Sequence, residues 1–121
     1  MRWTVAVLTS VMAVTSACAP KVQVTELNGT FEPRRSPTDV AVFTTQTPDC
    51  PYQEIAIVTA YQGDFPAFTD LDDALTAVKE RAHEIGADAV VGVRLVNRGG
   101  ESAREGYSGT AIRFEDAHCM H

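Results

Sequence analysis

Cysteine, histidine and methionine have the most specific chemistry in this 121-residue chain, and they are few. The cysteines are Cys18, Cys50 and Cys119. The last four residues combine all three types: His118, Cys119, Met120 and His121. Imidazole, thiolate and thioether ligands together suit Cu(I) or Zn(II), so this run is a candidate metal site. The competing interpretation is a structural Cys119 in a terminal tail.

Catalytic motifs are absent from the sequence. It has no Gly-x-Ser-x-Gly, no P-loop and no dinucleotide fingerprint. A nucleophile needs a base within hydrogen-bond reach. His83 is expected to face solvent on the flank of a predicted helix, and the other two histidines are in the terminal run. The pair Asp72-Asp73 suits a helix N-terminus better than acid–base catalysis. We therefore expect a non-catalytic protein without a cofactor, with bound Cu or Zn as the alternative.

An apolar run precedes Cys18. It extends over Trp3–Val14 behind Arg2, and it is shorter than the roughly 20 residues that span a bilayer. A run of this size is typical of a signal peptide. Val14–Cys18 resembles a bacterial lipobox, with Thr15 in place of the usual Leu. An ordinary secretory site at Ala17–Ala19 and an uncleaved anchor are the alternatives.

The lipobox interpretation defines where the mature protein begins. Residues 1–17 would be removed as a lipoprotein signal peptide, and Cys18 would become the lipidated first residue. Multiple acyl chains bind a membrane far more strongly than one. Ala19 follows the cysteine, where Asp would retain an enteric lipoprotein at the inner membrane. We therefore expect an envelope protein anchored to the outer membrane and facing the periplasm.

The charge of the chain excludes one class of partner. The formal net charge is −6, and loss of residues 1–17 removes Arg2 but no acidic residue, giving a value near −7. Nucleic-acid-binding proteins need a basic face. We therefore expect no nucleic-acid partner. A membrane, reached through the lipid anchor, and an envelope protein or a second copy of the chain are the expected partners.

The remaining sequence is long enough for one small domain. Residues 18–38 contain three prolines and an Arg-Arg pair, and they are predicted to be an extended tether. Residues 39–121 follow as the domain. Its predicted elements are strands at 39–45 and 53–60, a helix at 70–85, and strands at 89–96 and 107–115. Their order is β-β-α-β-β.

The helix is predicted by its apolar stripe. The residues on this stripe are Leu71, Ala74, Leu75, Val78, Ala82 and Ile85. Thr69 with Asp72 resembles a capping box, and Gly86 supplies a stop. A helical crossover makes the second and third strands parallel, so the fourth can lie antiparallel between them. We expect a two-layer α+β sandwich with a four-stranded mixed sheet in the order 1-2-4-3 and the helix on one face.

This topology predicts a disulfide. Cys50 precedes the second strand, and Cys119 follows the fourth. If these strands are antiparallel neighbours, the two sulfur atoms come within bonding reach. Acylation of Cys18 would leave this even pair in a compartment that permits oxidation.

Several segments resemble one domain family. They are Val40–Phe43, Cys50–Ala56, Lys79–Ala82, Gly86–Gly92 and Gly109–Phe114. The resemblance is to the domain of YbjQ-type proteins, which carry a heavy-metal-binding label, and of the RcsF-like stress-sensor lipoproteins. It covers roughly residues 39–116 and implies the α+β fold. It also implies action through protein partners. We expect a non-catalytic envelope lipoprotein that serves as an interaction or stress-sensing module, with a Cu- or Zn-binding lipoprotein as the alternative.

Overall fold

A computed structural model describes residues 21–62, 71–98 and 104–119. The predicted signal peptide, lipidation site Cys18, helix cap Thr69 and terminal Met120 and His121 lie outside these ranges. The described elements are β1 (Lys21–Glu26), a 3₁₀ turn (Pro37–Asp39), β2 (Ala41–Val42), β3 (Tyr52–Tyr61), α1 (Leu71–Glu84), β4 (Ala89–Arg98) and β5 (Arg104–Phe114).

The fold class is α+β, as predicted, and the described residues form one α-helix beside a five-stranded mixed sheet. The strand order is β1-β3-β5-β4-β2. Its centre, β3-β5-β4, has the predicted arrangement. β5 runs antiparallel to both neighbours, pairing Tyr52 with Phe114 on one side and Ala89 with Ile112 on the other. This arrangement follows from the crossover helix, which makes β3 and β4 parallel.

Both edges of the sheet differ from the prediction. The first expected strand, residues 39–45, is reduced to β2 and pairs in parallel with β4 instead of with β3. The position beside β3 is taken by β1, which belongs to the predicted tether. β1 alternates Val22 and Val24 with polar residues, the period of a half-buried strand. Its six residues form a longer ladder with β3 than β2 could.

The hairpin between β4 and β5 is also longer than predicted. The predicted strands end at residue 96 and begin again at residue 107. The ladder instead continues through Asn97↔Glu105 to Arg98↔Arg104. Backbone pairing in an exposed hairpin does not require apolar side chains. The strands therefore continue past the point at which the apolar residues end.

The main core lies between the sheet and one face of α1. Ala74, Val78 and Ala82 are fully buried against strand residues such as Val58 and Val90. These helix positions match the predicted apolar stripe, although Leu75 is only partly buried. A second cluster forms on the opposite face of the sheet around Ala89, Val91, Ile112 and Phe114.

Candidate functional site

Asp88 is a fully buried acid at the junction of the helix and β4. Gly86 ends the helix with φ +88°, a value that glycine adopts without strain. Two residues later, the amide of Asp88 donates to the carbonyl oxygen of Ile112 at 2.8 Å. Its Oδ2 accepts from the amide of Phe114 at 2.9 Å. Asp88 therefore ties the start of β4 to the end of β5.

Arg34 forms an ion pair with this carboxylate. Its Nε lies 2.9 Å from Oδ1 and 3.1 Å from Oδ2 of Asp88. Its Nη2 also donates to Oδ2, and to the carbonyl oxygen of Phe114 at 2.6 Å. Bidentate bonds between arginine and a carboxylate are among the strongest protein hydrogen bonds. The pair joins residues that lie 54 positions apart in the chain.

Arg35 adds a second positive charge. Its Nε lies 3.6 Å from Oδ1 of Asp88, and its side chain is 7% exposed. The guanidinium lies 5.4 Å from the centre of the Phe114 ring, within cation–π range. Within the described residues, Nε and Nη2 have no hydrogen-bond partner. The charge of Asp88 and the aromatic ring therefore provide the main compensation for burying Arg35.

These arginines belong to a segment that lies along the domain, which we call the strap, residues 27–36. The amide of Leu27 donates to the carbonyl of Ile55, and that of Phe31 to Ile85, both at 2.9 Å. A Cβ atom on Gly86 would lie 2.3 Å from the carbonyl oxygen of Phe31. Gly86 thus has two roles. It ends the helix, and its lack of a side chain leaves room for the strap to pack against it.

Side chains from the helix and from β5 hold the strap as well. Nη1 of Arg113 donates to the carbonyl oxygens of Glu32 at 3.1 Å and Gly86 at 2.6 Å. Its guanidinium lies 4.9 Å from the centre of the Phe31 ring. Nε2 of His83 lies 2.8 Å from the carbonyl oxygen of Arg35, so it must donate. His83 was expected to face solvent, but it is half-buried against the strap.

The surroundings of Asp88 favour its ionised form. Burial is the largest single influence and would raise its pKa. The hydrogen bonds from Arg34 and the Phe114 amide, with the charges of Arg34 and Arg35, together outweigh burial and lower the pKa below its ordinary value. The same pairing raises the pKa of Arg34. A carboxylate so fully occupied is suited to holding the strap and not to exchanging protons.

The structure contains a disulfide between Cys50 and Cys119, the pair that the sequence predicted. Their Cα atoms are 6.1 Å apart, and the residues lie 69 positions apart in the chain. The antiparallel pairing of Tyr52 with Phe114 brings the two cysteines together. The disulfide packs against the cluster around Phe114, on whose ring Arg35 lies.

The disulfide bears directly on the predicted metal site. Cys119 in this state offers no thiolate. His118 is exposed, with its amide bonded to Oδ1 of Asp116 at 2.8 Å, and the other two predicted ligands lie outside the described residues. Within residues 21–62, 71–98 and 104–119, no group of three or more His, Cys, Asp or Glu side chains could hold a metal ion. The metal hypothesis therefore requires reduced Cys119 and stays a prediction.

The sequence did not predict the cluster of Asp88, Arg34 and Arg35. Its signals were an acid inside the apolar run Ala87–Val91 and an Arg-Arg pair between prolines. An acid in a buried strand requires a cation, and the adjacent arginines could have supplied it. No periodicity links two segments so far apart, and the arginines fall in the segment that the sequence predicts to be a tether.

Comparison with known proteins identifies no protein significantly similar to this chain. No protein-family model matches this chain, and no curated protein or solved structure is significantly similar to it. The resemblance to the YbjQ-type and RcsF-like domain therefore stays a prediction. Among the residues that the structure describes, no helix has the length and apolar character needed to cross a membrane.

The Asp88 cluster predicts a loss of stability in acid. A lowered folded-state pKa stabilises the fold above the unfolded pKa, about 3.9. This stabilisation is lost as the pH falls through the folded-state value. Asp88→Asn should cost about 3 kcal/mol near neutral pH, because it leaves buried arginine charge unpaired.

Urea unfolding at several pH values checks this prediction. The difference in the free energy of unfolding between wild type and Asp88→Asn should become smaller below about pH 4. Glu84→Gln is the control, because it removes an exposed ion pair with Arg81 and should cost less than about 0.5 kcal/mol. If the difference in unfolding free energy between wild type and Asp88→Asn stays constant from neutral to acid pH, Asp88 does not stabilise the fold through its ionised form.

The second prediction concerns Cys50 and Cys119. Mass spectrometry of unreduced mature protein should show a cross-linked peptide that contains both residues. Reduction should lower the melting temperature, since closing a loop of this length stabilises by up to about 4 kcal/mol. Two free thiols with stoichiometric copper or zinc, lost in Cys119→Ser, would contradict the structural role and support the metal site.

Proposed function

We propose that this chain is a non-catalytic lipoprotein of the bacterial cell envelope whose domain binds a partner protein. Its support begins with the sequence, in which a short apolar run ends at a cysteine in a lipobox-like context. The disulfide supports export, because disulfides persist in oxidising compartments. The most tightly held charges, Asp88 and Arg34, are paired with each other, so they serve the fold and leave binding to another surface.

The observation that carries the binding proposal is an unpaired strand edge. β2 covers β4 only at Ala89 and Val90. Phe43 extends this pairing with hydrogen bonds to Val90 and Val93. Within the described residues, no strand lies on this side of Arg94–Arg98, which we call the free β4 edge. Unpaired backbone groups along such an edge can accept another strand.

The side chains of the free β4 edge suit strand addition. Leu95 is 55% exposed, the highest value among the exposed large apolar side chains of the described residues. Arg94, on the opposite face of the strand, is also exposed. In strand addition, backbone hydrogen bonds provide affinity and alternate side chains provide specificity. We therefore propose an extended partner segment with an apolar residue opposite Leu95.

Two kinds of partner fit this edge. One is a different envelope protein, and the family resemblance supports this kind, with stress sensing as the output. The other is a second copy of this chain, whose own free β4 edge could pair antiparallel with the first. A Cu- or Zn-binding lipoprotein remains the alternative function, and it depends on the state of Cys119.

A matched pair of substitutions tests the binding edge. Leu95→Asp places an unpaired carboxylate in the proposed interface. Leu27→Asp makes the same change at a similarly exposed leucine, 45% accessible, beside the opposite edge strand. Membranes that contain each variant are treated with a crosslinker, and the variant is purified together with any protein that is crosslinked to it. Leu95→Asp should reduce the crosslinked species by about tenfold, equivalent to 1.4 kcal/mol of binding energy.

Wild type and Leu27→Asp should retain the crosslinked species, and its mass distinguishes a different protein from a second copy. Equal yields from the two variants would contradict the assigned edge. No crosslinked species in wild type would contradict the binding function itself. Melting temperatures of both variants near the wild-type value would exclude loss of folding as the cause.

A further inference from the structure

The position of β1 determines which end of the domain lies next to the lipid anchor. β1 pairs antiparallel with β3, from Lys21↔Tyr61 to Glu26↔Ala56. Tyr61 pairs in turn with Gly106 of β5. We call this the Lys21 end of the sheet. The start of β3 and the end of β5 form the opposite, Asp88 end, which contains the Asp88 cluster and the disulfide.

The chain between the anchor and the sheet is very short. Only Ala19 and Pro20 separate Cys18 from Lys21, and three residue steps reach at most about 11 Å. β5 alone extends about 33 Å between its ends, at about 3.3 Å per residue. A lipid on Cys18 therefore keeps the Lys21 end near the lipid headgroups, whereas the Asp88 end can lie well beyond them.

We propose that the Lys21 end of the sheet lies against the lipid surface and that the Asp88 end points away from it. This inference rests on the proposed lipidation of Cys18. It replaces the predicted long tether, because residues 21–26 form β1 and the strap is bound to the domain. The domain is thus held at the membrane in one orientation.

The distribution of charge opposes the reverse orientation. Exposed carboxylates surround the Asp88 end: Glu26, Glu32, Asp39, Asp49, Glu54, Glu84, Glu115 and Asp116. Arg34 and Arg35 at this end are already paired with Asp88, and Arg81 is paired with Glu84. Arg113 also lies at this end, bonded to the carbonyl oxygens of Glu32 and Gly86, so the exposed carboxylates still outnumber the arginines. Anionic lipid surfaces attract basic segments and repel acidic ones. Tilting the Asp88 end toward such a surface is therefore unfavourable.

The charge at the Lys21 end is mixed. Lys21, Arg98 and Arg104 occupy backbone positions there, together with Glu105 and the first turn of α1 with its two acids, Asp72 and Asp73. The short link to the anchor, more than charge, therefore keeps this end at the lipid surface. The free β4 edge extends to Arg98 at this end. The proposed orientation thus brings it close to a partner in or on the same membrane.

Tryptophan fluorescence can test the orientation without interference from native tryptophan. The only tryptophan of the chain is Trp3, which leaves with the signal peptide. Glu105→Trp and Glu115→Trp place one tryptophan at each end of the sheet, both at exposed glutamates. The purified acylated proteins are inserted into phosphatidylethanolamine–phosphatidylglycerol vesicles that contain a lipid with a nitroxide on its headgroup.

Because the two sites are about 33 Å apart, quenching at Glu105→Trp should be at least about threefold stronger. A flexible spacer of about 20 residues between Ala19 and Pro20, with a typical reach of roughly 25 Å, should abolish the difference. Equal quenching without the spacer, or an unchanged difference with it, would overturn the orientation.

The mass of the N-terminal peptide separates this inference from the proposed function. Acylated protein with equal quenching at both sites would overturn only the orientation. An unacylated N-terminus would remove the anchor and overturn both the lipoprotein assignment and the orientation. Acylation together with the expected difference in quenching would support both.

Discussion

The ion pair between the buried Asp88 and the half-buried Arg34 is the interaction on which the arrangement of this domain depends. One carboxylate connects the start of β4, the end of β5 and the strap. A buried charge is costly without a partner, and removing one member of such a pair is strongly destabilising. The pair therefore makes the position of the strap a condition of the fold. Because the strap follows β1, it also favours β1 over β2 as the neighbour of β3.

The disulfide links the C-terminal segment to the Asp88 cluster through Phe114. It fixes the segment after β5 against the cluster around Phe114, whose ring contacts Arg35 and whose backbone binds both Asp88 and Arg34. The strap and the C-terminal segment thus meet at the Asp88 end. This arrangement concentrates rigid contacts far from the proposed anchor. The free β4 edge lies outside it, where a partner strand could be added without disturbing the buried charges.

The sequence predicted the features that depend on local patterns or on the order of elements along the chain. The apolar stripe predicted α1, and the crossover rule gave the order β3-β5-β4 and hence the neighbouring cysteines. The edges were not predictable in the same way, because β1 and β2 are short and their pairing depends on competition between segments. The Asp88 cluster was missed because it joins residues 54 positions apart through charge alone. The lipidation site lies outside the described residues and stays a prediction.

Amide hydrogen exchange is the most direct measure of whether the ion pair holds the strap. The amide of Phe31, bonded to Ile85, reports on the strap, and the amide of Val58 reports on the sheet. In Arg34→Gln, Phe31 should exchange about a hundredfold faster, as expected for loss of roughly 3 kcal/mol of local stability, while Val58 changes much less. Unchanged exchange at Phe31, or equal acceleration at both amides, would contradict this account.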